Sequence, residues 1–185
     1  MFLTLILSSL LTFVELNCEN LFDTRHDSLK NDVEFLPEGS YHWTPYRYWH
    51  KVNHLGQEIV AQSNSIPDFV AMCEVENDSV MFDLTKRSLL RNAGYEYVMT
   101  SSPDERGIDV ALLYQPASFA LLHSHSIRIK PLPDTRPTRD ILYASGLIIT
   151  GDTLHVFVVH APSRRGGEQV SRPYRLQVAC LLYTS

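Results

Sequence analysis

An acid closes a segment that only a covered sheet can use: Phe69-Val-Ala-Met-Cys-Glu-Val75. Ser65-Ile-Pro-Asp68 precedes it, and its Pro and Asp punctuate a turn. Phe69, Val70, Ala71 and Met72 then form a short apolar run of the kind that fills a sheet buried on both faces. An acid at the exit of such a strand is held rigidly and faces the rim, where a hard cation could bind. The alternative is a strand-end carboxylate that simply meets water. The rest of the chain favours the first reading.

At 185 residues the chain is long enough for one domain with a substantial core. With 44% apolar and 20% charged residues it has the composition of an ordered globular protein. A formal net charge of −5 excludes a generally basic nucleic-acid coat, so any such contact would be local. Arg164, Arg165, Arg172 and Arg175, opposed nearby by Glu168, are the candidates, and a solvated helix face explains them equally well. Cys18, Cys73 and Cys180 form no CxxC pair and no zinc pattern, which points to buried free thiols. Strand alternation would turn Cys18 and Cys73 away from the acids that follow them, Glu19 and Glu74. The apolar stretch Met1–Val14 resembles a secretory core but lacks a basic start and a small-residue cleavage site, and it is short for a membrane span. Secreted or periplasmic placement, if Met1–Ser9 is part of a signal, and cytoplasmic placement otherwise both stay open.

Strand signals come first at Leu11–Cys18, followed by a polar and aromatic loop from Asp23 to Pro45. Tyr48, Val52, Leu55 and Ile59 recur at the spacing of an amphipathic helix. A second helix is expected from Val80 to Ala93, closed by Gly94. Strands follow at 95–100, 109–114, 119–129, 141–150 and 153–160, with a tight turn at Gly151-Asp152. Pro173 is placed near the start of a last helix running toward Leu182. Strand, helix, strand, helix and then a run of strands reads as a layered α/β architecture with mixed sheets.

The polar groups at the strand exits suit one chemistry. Asn17 and Glu19 are two residues apart and share a face if the strand continues that far; Glu74 and Glu76 have the same spacing. Arg106 and Asp109 flank the entry to the apolar strand Val110–Tyr114, and His160 ends another strand before Ala161-Pro-Ser-Arg-Arg-Gly-Gly167. Oxygen ligands favour Mg²⁺ or Mn²⁺, which polarises a phosphoryl oxygen. An imidazole can donate a proton or a hydrogen bond to the same phosphate, and arginine can pair with it in a fork. No G-x-S-x-G elbow, P-loop or dinucleotide fingerprint is present.

Four segments carry a family resemblance, in order: Leu16–Asp23, Val70–Asn77, Asp104–Tyr114 and Val159–Gly167. Together they resemble the endonuclease/exonuclease/phosphatase superfamily, in its bacterial branch, over residues 11–179. The resemblance implies a DNase I-like four-layer α/β sandwich, incomplete at the C-terminus; outside it, the apolar residues 1–10 read as a degraded signal or strand extension and 180–185 as a non-native tail. It implies a Mg²⁺ or Mn²⁺ ion held chiefly by Glu74, with Glu19 as a second metal or water ligand. Asn17 would hold the phosphate or its nucleophile, His160 would contact the scissile phosphate, and Arg106 and Arg164 would be further phosphate contacts. Asp109 is equally well read as a structural hydrogen-bond acceptor.

Two departures qualify this. Relatives usually read Asn-His-Trp-Pro-Ser-Arg where this chain has Val159-His-Ala-Pro-Ser-Arg164, and the 185 residues contain neither a Gly-Asp-x-Asn motif nor a terminal Asp-His pair. The expectation is therefore the N-terminal part of a divalent-metal-dependent phosphoesterase with little turnover of its own. A non-catalytic phosphate or nucleic-acid binding module and an unstable fragment are the alternatives. Substrate, whether DNA, RNA, phospholipid head group or small ester, stays open.

Overall fold

The computed structural model describes residues 11–62, 65–133, 136–164 and 166–184. The expectations for Met1–Ser9, Arg165 and Ser185 lie outside them. Four layers stack as helices, sheet, sheet and helix. The first sheet holds β1 (Phe13–Leu21), β2 (Phe69–Val75), β3 (Glu96–Met99) and β4 (Asp109–Tyr114) in the order β1-β2-β4-β3. β1 and β2 run parallel, and β4 is antiparallel to both of its neighbours. The second sheet is an antiparallel meander of β5 (Phe119–Ile127), β6 (Ile141–Ile148) and β7 (Thr153–Val158).

All six residues of β4 are buried, as a strand covered on both faces must be. Ala111 and Leu113 meet the helix layer, while Val110, Leu112 and Tyr114 meet the second sheet. Phe119 fills the space between the sheets, edge-on to Phe69 at 5.1 Å and to Tyr114 at 5.6 Å. Gly146 makes room for it, because a Cβ there would lie 2.6 Å from the Phe119 ring. The helix layer is led by α1 (Pro45–Ala61), which starts at the Thr44 cap with Pro45 in the first turn. Its buried stripe includes the expected Tyr48, Val52, Leu55 and Ile59. α3 (Glu168–Thr184) packs Val178 and Leu181 against Ile141 and Phe157 on the outer side of the second sheet. Among the described residues no helix is long and apolar enough to cross a membrane.

Several local expectations change. The single helix expected over 80–93 is instead α2 (Asp78–Phe82), a wider π-type turn over Asp83–Arg87 and a 3-10 turn over Leu89–Asn92. Thr85 and Ser88 donate their hydroxyls to the Met81 and Leu84 carbonyls, and Ser88 then turns extended and caps Leu90. Such side-chain bonds compete with a continuous helix. Pro173 lies inside α3, five residues beyond its first residue, where it removes one helical donor. Cys18 and Cys73 are buried free thiols, but Cys180 is exposed on α3. Burial pushes the Cys18 thiol up to about 12 and the Cys73 thiol up to about 11, so neither is a reactive thiolate at neutral pH.

Candidate active site

The site begins where β1 and β2 lose their alternation. Val70 and Met72 face the helices, so simple alternation would send Glu74 there too. Instead Val75 takes the helix-facing place, and the register between β2 and β4 shifts between Cys73 and Val75. Glu74 is the bulged residue, with a left-handed φ of 61°. β1 has a matching irregularity, with Glu19 at φ 50° and Asn20 at φ 62°. The two distortions meet, since the Asn20 amide donates to Glu74 Oε2 at 3.0 Å. Left-handed non-glycine residues cost about 1–3 kcal/mol each and gather at functional sites.

Glu74 Oε1 lies 3.6 Å from His160 Nε2. Both groups line a cavity of about 470 Å³. Its other walls include Arg106, Arg136 and Arg139, the loop residues Pro162 and Ser163, and Val170, Ser171 and Tyr174 at the start of α3. Arg139 is only 11% exposed: its Nη1 lies 3.5 Å from Asp104 Oδ2, and its Nη2 donates to the His160 carbonyl at 3.3 Å. Arg139 Nε and His160 Nδ1 are both buried without a hydrogen-bond partner among the described residues. Asp104 also accepts from the Arg106 amide, and Lys30 Nζ donates to the Ser102 and Asp104 carbonyls. Gly107, at φ 86°, brings the loop against the Lys30 side chain.

Burial lowers the His160 pKa, and the Arg139 charge adds to it while Glu74 opposes it. The imidazole is therefore neutral near pH 7 and offers one N–H and one acceptor nitrogen. Glu76 behaves oppositely. Burial pushes its carboxyl up to about 8 against the Asp23 amide hydrogen bond, with the charges of Asp23, Asp32 and Asp27 adding to the rise.

Glu74, His160 and Arg106 come together in the cavity. Asn17 and Glu19 stand beside it on β1 without lining it. Both are exposed on either side of buried Cys18, and Asn17 Oδ1 accepts from the Glu19 amide at 2.9 Å as the chain turns left-handed. Arg164 Nε lies 3.8 Å from Glu168 Oε2, and Arg175 lies 3.7 Å from the same oxygen, so Glu168 offsets much of the arginine cluster. Asp109 Oδ1 accepts from the Ser102 amide and from the Thr100 and Ser102 hydroxyls, a structural acceptor bracing the loop that carries Asp104 and Arg106. Sequence reasoning missed Arg139. The available signal was an arginine two residues ahead of a buried strand, in Thr138-Arg-Asp-Ile141.

A family model for endonucleases, exonucleases and phosphatases matches residues 12–184. The chain belongs to the endonuclease/exonuclease/phosphatase family. The family is one of phosphoester hydrolases. No curated protein sequence matches the chain. Among solved structures, it is similar to a mannosyl-6-phosphatase of Bacteroides thetaiotaomicron, with TM-score 0.63 and 16% identity, covering 94% of this chain and 58% of that one. A functionally unknown conserved protein of Enterococcus faecalis gives TM-score 0.60 at 14% identity, covering 93% and 59%. A humanized D. rerio TDP2 gives TM-score 0.57 at 18% identity, covering 91% and 54%. At such identities the likeness shows the DNase I-like fold alone. The chain spans a little over half the length of these structures.

Proposed function

We propose that this chain carries the phosphate-ester site of a divalent-metal-dependent hydrolase. The observation that carries it is the meeting of the Glu74 carboxylate with His160, 3.6 Å apart, in a cavity walled by Arg106 and Arg139. Among the described residues no group of three or more His, Cys, Asp or Glu side chains is arranged to hold a metal ion. A single carboxylate nevertheless fits Mg²⁺, which typically binds one or two protein carboxylates and takes water and phosphate oxygens for the rest. Glu74 fits that role, because its Oε2 is fixed by the Asn20 amide while its Oε1 has no hydrogen bond from the backbone. Glu74 would hold Mg²⁺ or Mn²⁺, and the ion would polarise a phosphoryl oxygen.

The chain's own residues do the rest. His160, neutral, donates one N–H toward a phosphate oxygen, and its carbonyl is held by Arg139. Arg106 and Arg139 offer guanidinium donors to the same group. Asn17 can donate its side-chain NH₂, its Oδ1 being taken by Glu19. Glu19 is the second ligand in this reading and Arg164 an outer phosphate contact. Turnover by the 185 residues alone is expected to be low. Of the carboxylates bordering the cavity, Glu74 is assigned to the ion and Asp104 pairs with Arg139, and the 185 residues contain no Gly-Asp-x-Asn motif, the expected source of the general base.

Titration calorimetry with inorganic phosphate, with and without Mg²⁺, tests the reading. Mg²⁺ should strengthen phosphate binding, and Glu74→Gln should remove at least about tenfold of that gain, about 1.4 kcal/mol. Binding that ignores both Mg²⁺ and Glu74→Gln overturns it.

A further inference from the structure

The cavity does not end at its arginines. A second cavity of about 330 Å³ opens between residues 129–132 and 136–138 on one side and α3 on the other, and it shares Arg136, Pro137, Pro162 and Tyr174 with the first. The two adjoin across these shared residues and differ in character. The Glu74 end is ionic. The far end is walled by Ile129, Pro131, Leu132 and the Tyr174 ring, with Thr138 and Gln177 as its polar edges. Ile129 is 2% exposed, and Gln177 Nε2 donates to the Lys130 carbonyl at 2.6 Å, which ties α3 to the facing segment. Prolines and a tyrosine ring present flat, stiff surfaces that lose little freedom on contact.

Resting on the phosphate-ester reading above, we infer that this far end receives the alcohol portion of the substrate, and that this portion carries an aromatic ring. Three observations point the same way. The two cavities adjoin across Arg136, Pro137, Pro162 and Tyr174, which places the far one within reach of a molecule held at the phosphate end. The far volume is at the lower limit for a ligand pocket, which suits a single ring system better than an extended chain. Its walls offer stacking surface and few hydrogen-bond partners, so a sugar's hydroxyls would lose water there without replacement. Arg136 stands at the junction, its side chain 86% exposed and 3.5 Å from Glu105, within reach of a ring or a phosphate.

The test titrates the 185-residue chain with phenyl phosphate, thymidine 5′-monophosphate, glucose 6-phosphate and inorganic phosphate in Mg²⁺. The two aromatic esters should bind about tenfold tighter than the other two. That preference should vanish in Tyr174→Ser and persist in Tyr174→Phe, which keeps the ring and guards against a folding artefact. Amide chemical shifts of Ile129 and Thr138 should move with the aromatic ligands alone. Tighter binding of thymidine 5′-monophosphate than of phenyl phosphate identifies the ring as a nucleobase, and the reverse identifies a simple aryl ester. Equal binding of all four, or a preference that survives Tyr174→Ser, overturns this inference and leaves the phosphate reading intact. Binding of none overturns both.

Discussion

The two ends of the first sheet are built from the same strands and differ in almost every other respect. At the end where β1 and β2 begin, Asp68 acts as a clip: Oδ2 accepts from the Thr12 amide and hydroxyl, both at 2.8 Å, and Oδ1 accepts from the Ser118 hydroxyl. The Asp68 amide returns a bond to Thr12 Oγ1 at 2.9 Å, and the Gln115 amide donates to the Asp68 carbonyl. At the end where the strands exit, Glu19, Asn20 and Glu74 are left-handed, and two buried nitrogens of Arg139 and His160 lack partners among the described residues. One end is hydrogen-bonded and relaxed. The other holds strain and unmet hydrogen-bonding capacity, which is where a ligand can contribute most.

That contrast can be attacked first at Arg139. If the exit end serves binding alone, Arg139→Met should be mild. We expect the opposite, a loss of about 3 kcal/mol in urea unfolding, because Asp104 is 8% exposed and its Oδ2 loses its charged partner, leaving Arg106 at Oδ1. Here the site and the scaffold share a residue.

The next test is the clip. Asp68→Asn should cost about 2 kcal/mol while leaving Mg²⁺-dependent phosphate binding unchanged. Burial pushes the Asp68 pKa up, but the hydrogen bonds from Ser118 and Thr12 outweigh it and hold the carboxyl below its ordinary 3.8. A folded pKa below the unfolded one contributes stability that is present above the unfolded value and lost as pH falls through the folded value. The gap between wild type and Asp68→Asn should therefore be full at pH 6 and narrow below pH 3.8. A gap independent of pH would show that the clip acts by packing alone.

The smallest effect sharpens the strained side. Glu19→Gly removes a left-handed side-chain penalty and adds chain entropy, for a net gain of about 0.5 kcal/mol in urea unfolding. If Glu19 is also a ligand, as the resemblance implies, Mg²⁺-dependent phosphate affinity falls while stability rises. A change in stability without one in affinity would confine the metal to Glu74.

Much of this was legible in the residues. The α1 stripe of Tyr48, Val52, Leu55 and Ile59 follows from a period that only one helical face can satisfy. The buried β4 follows from an unbroken apolar run, and Glu74 and His160 stood out as polar groups at the exits of such runs. Other features left no local trace. Ser88 breaks the second helix through its hydroxyl, yet a serine is unremarkable in a helical pattern. Arg139 reads as one more surface arginine until Asp104 and the His160 carbonyl close on it.

The sequence by itself determined where most strands and the first helix lie, because apolar periodicity and turn chemistry act over a few residues. It also supplied the groups that make a phosphate site. Only the tertiary structure decided how those groups meet. The bulge that turns Glu74 out of the helix-facing row, the capture of its Oε2 by Asn20 and the pairing of Arg139 with Asp104 each depend on residues 34 or more positions apart in the chain. Side-chain burial and hydrogen-bond completion at such distances are properties of the packed sheet, and no local pattern carries them.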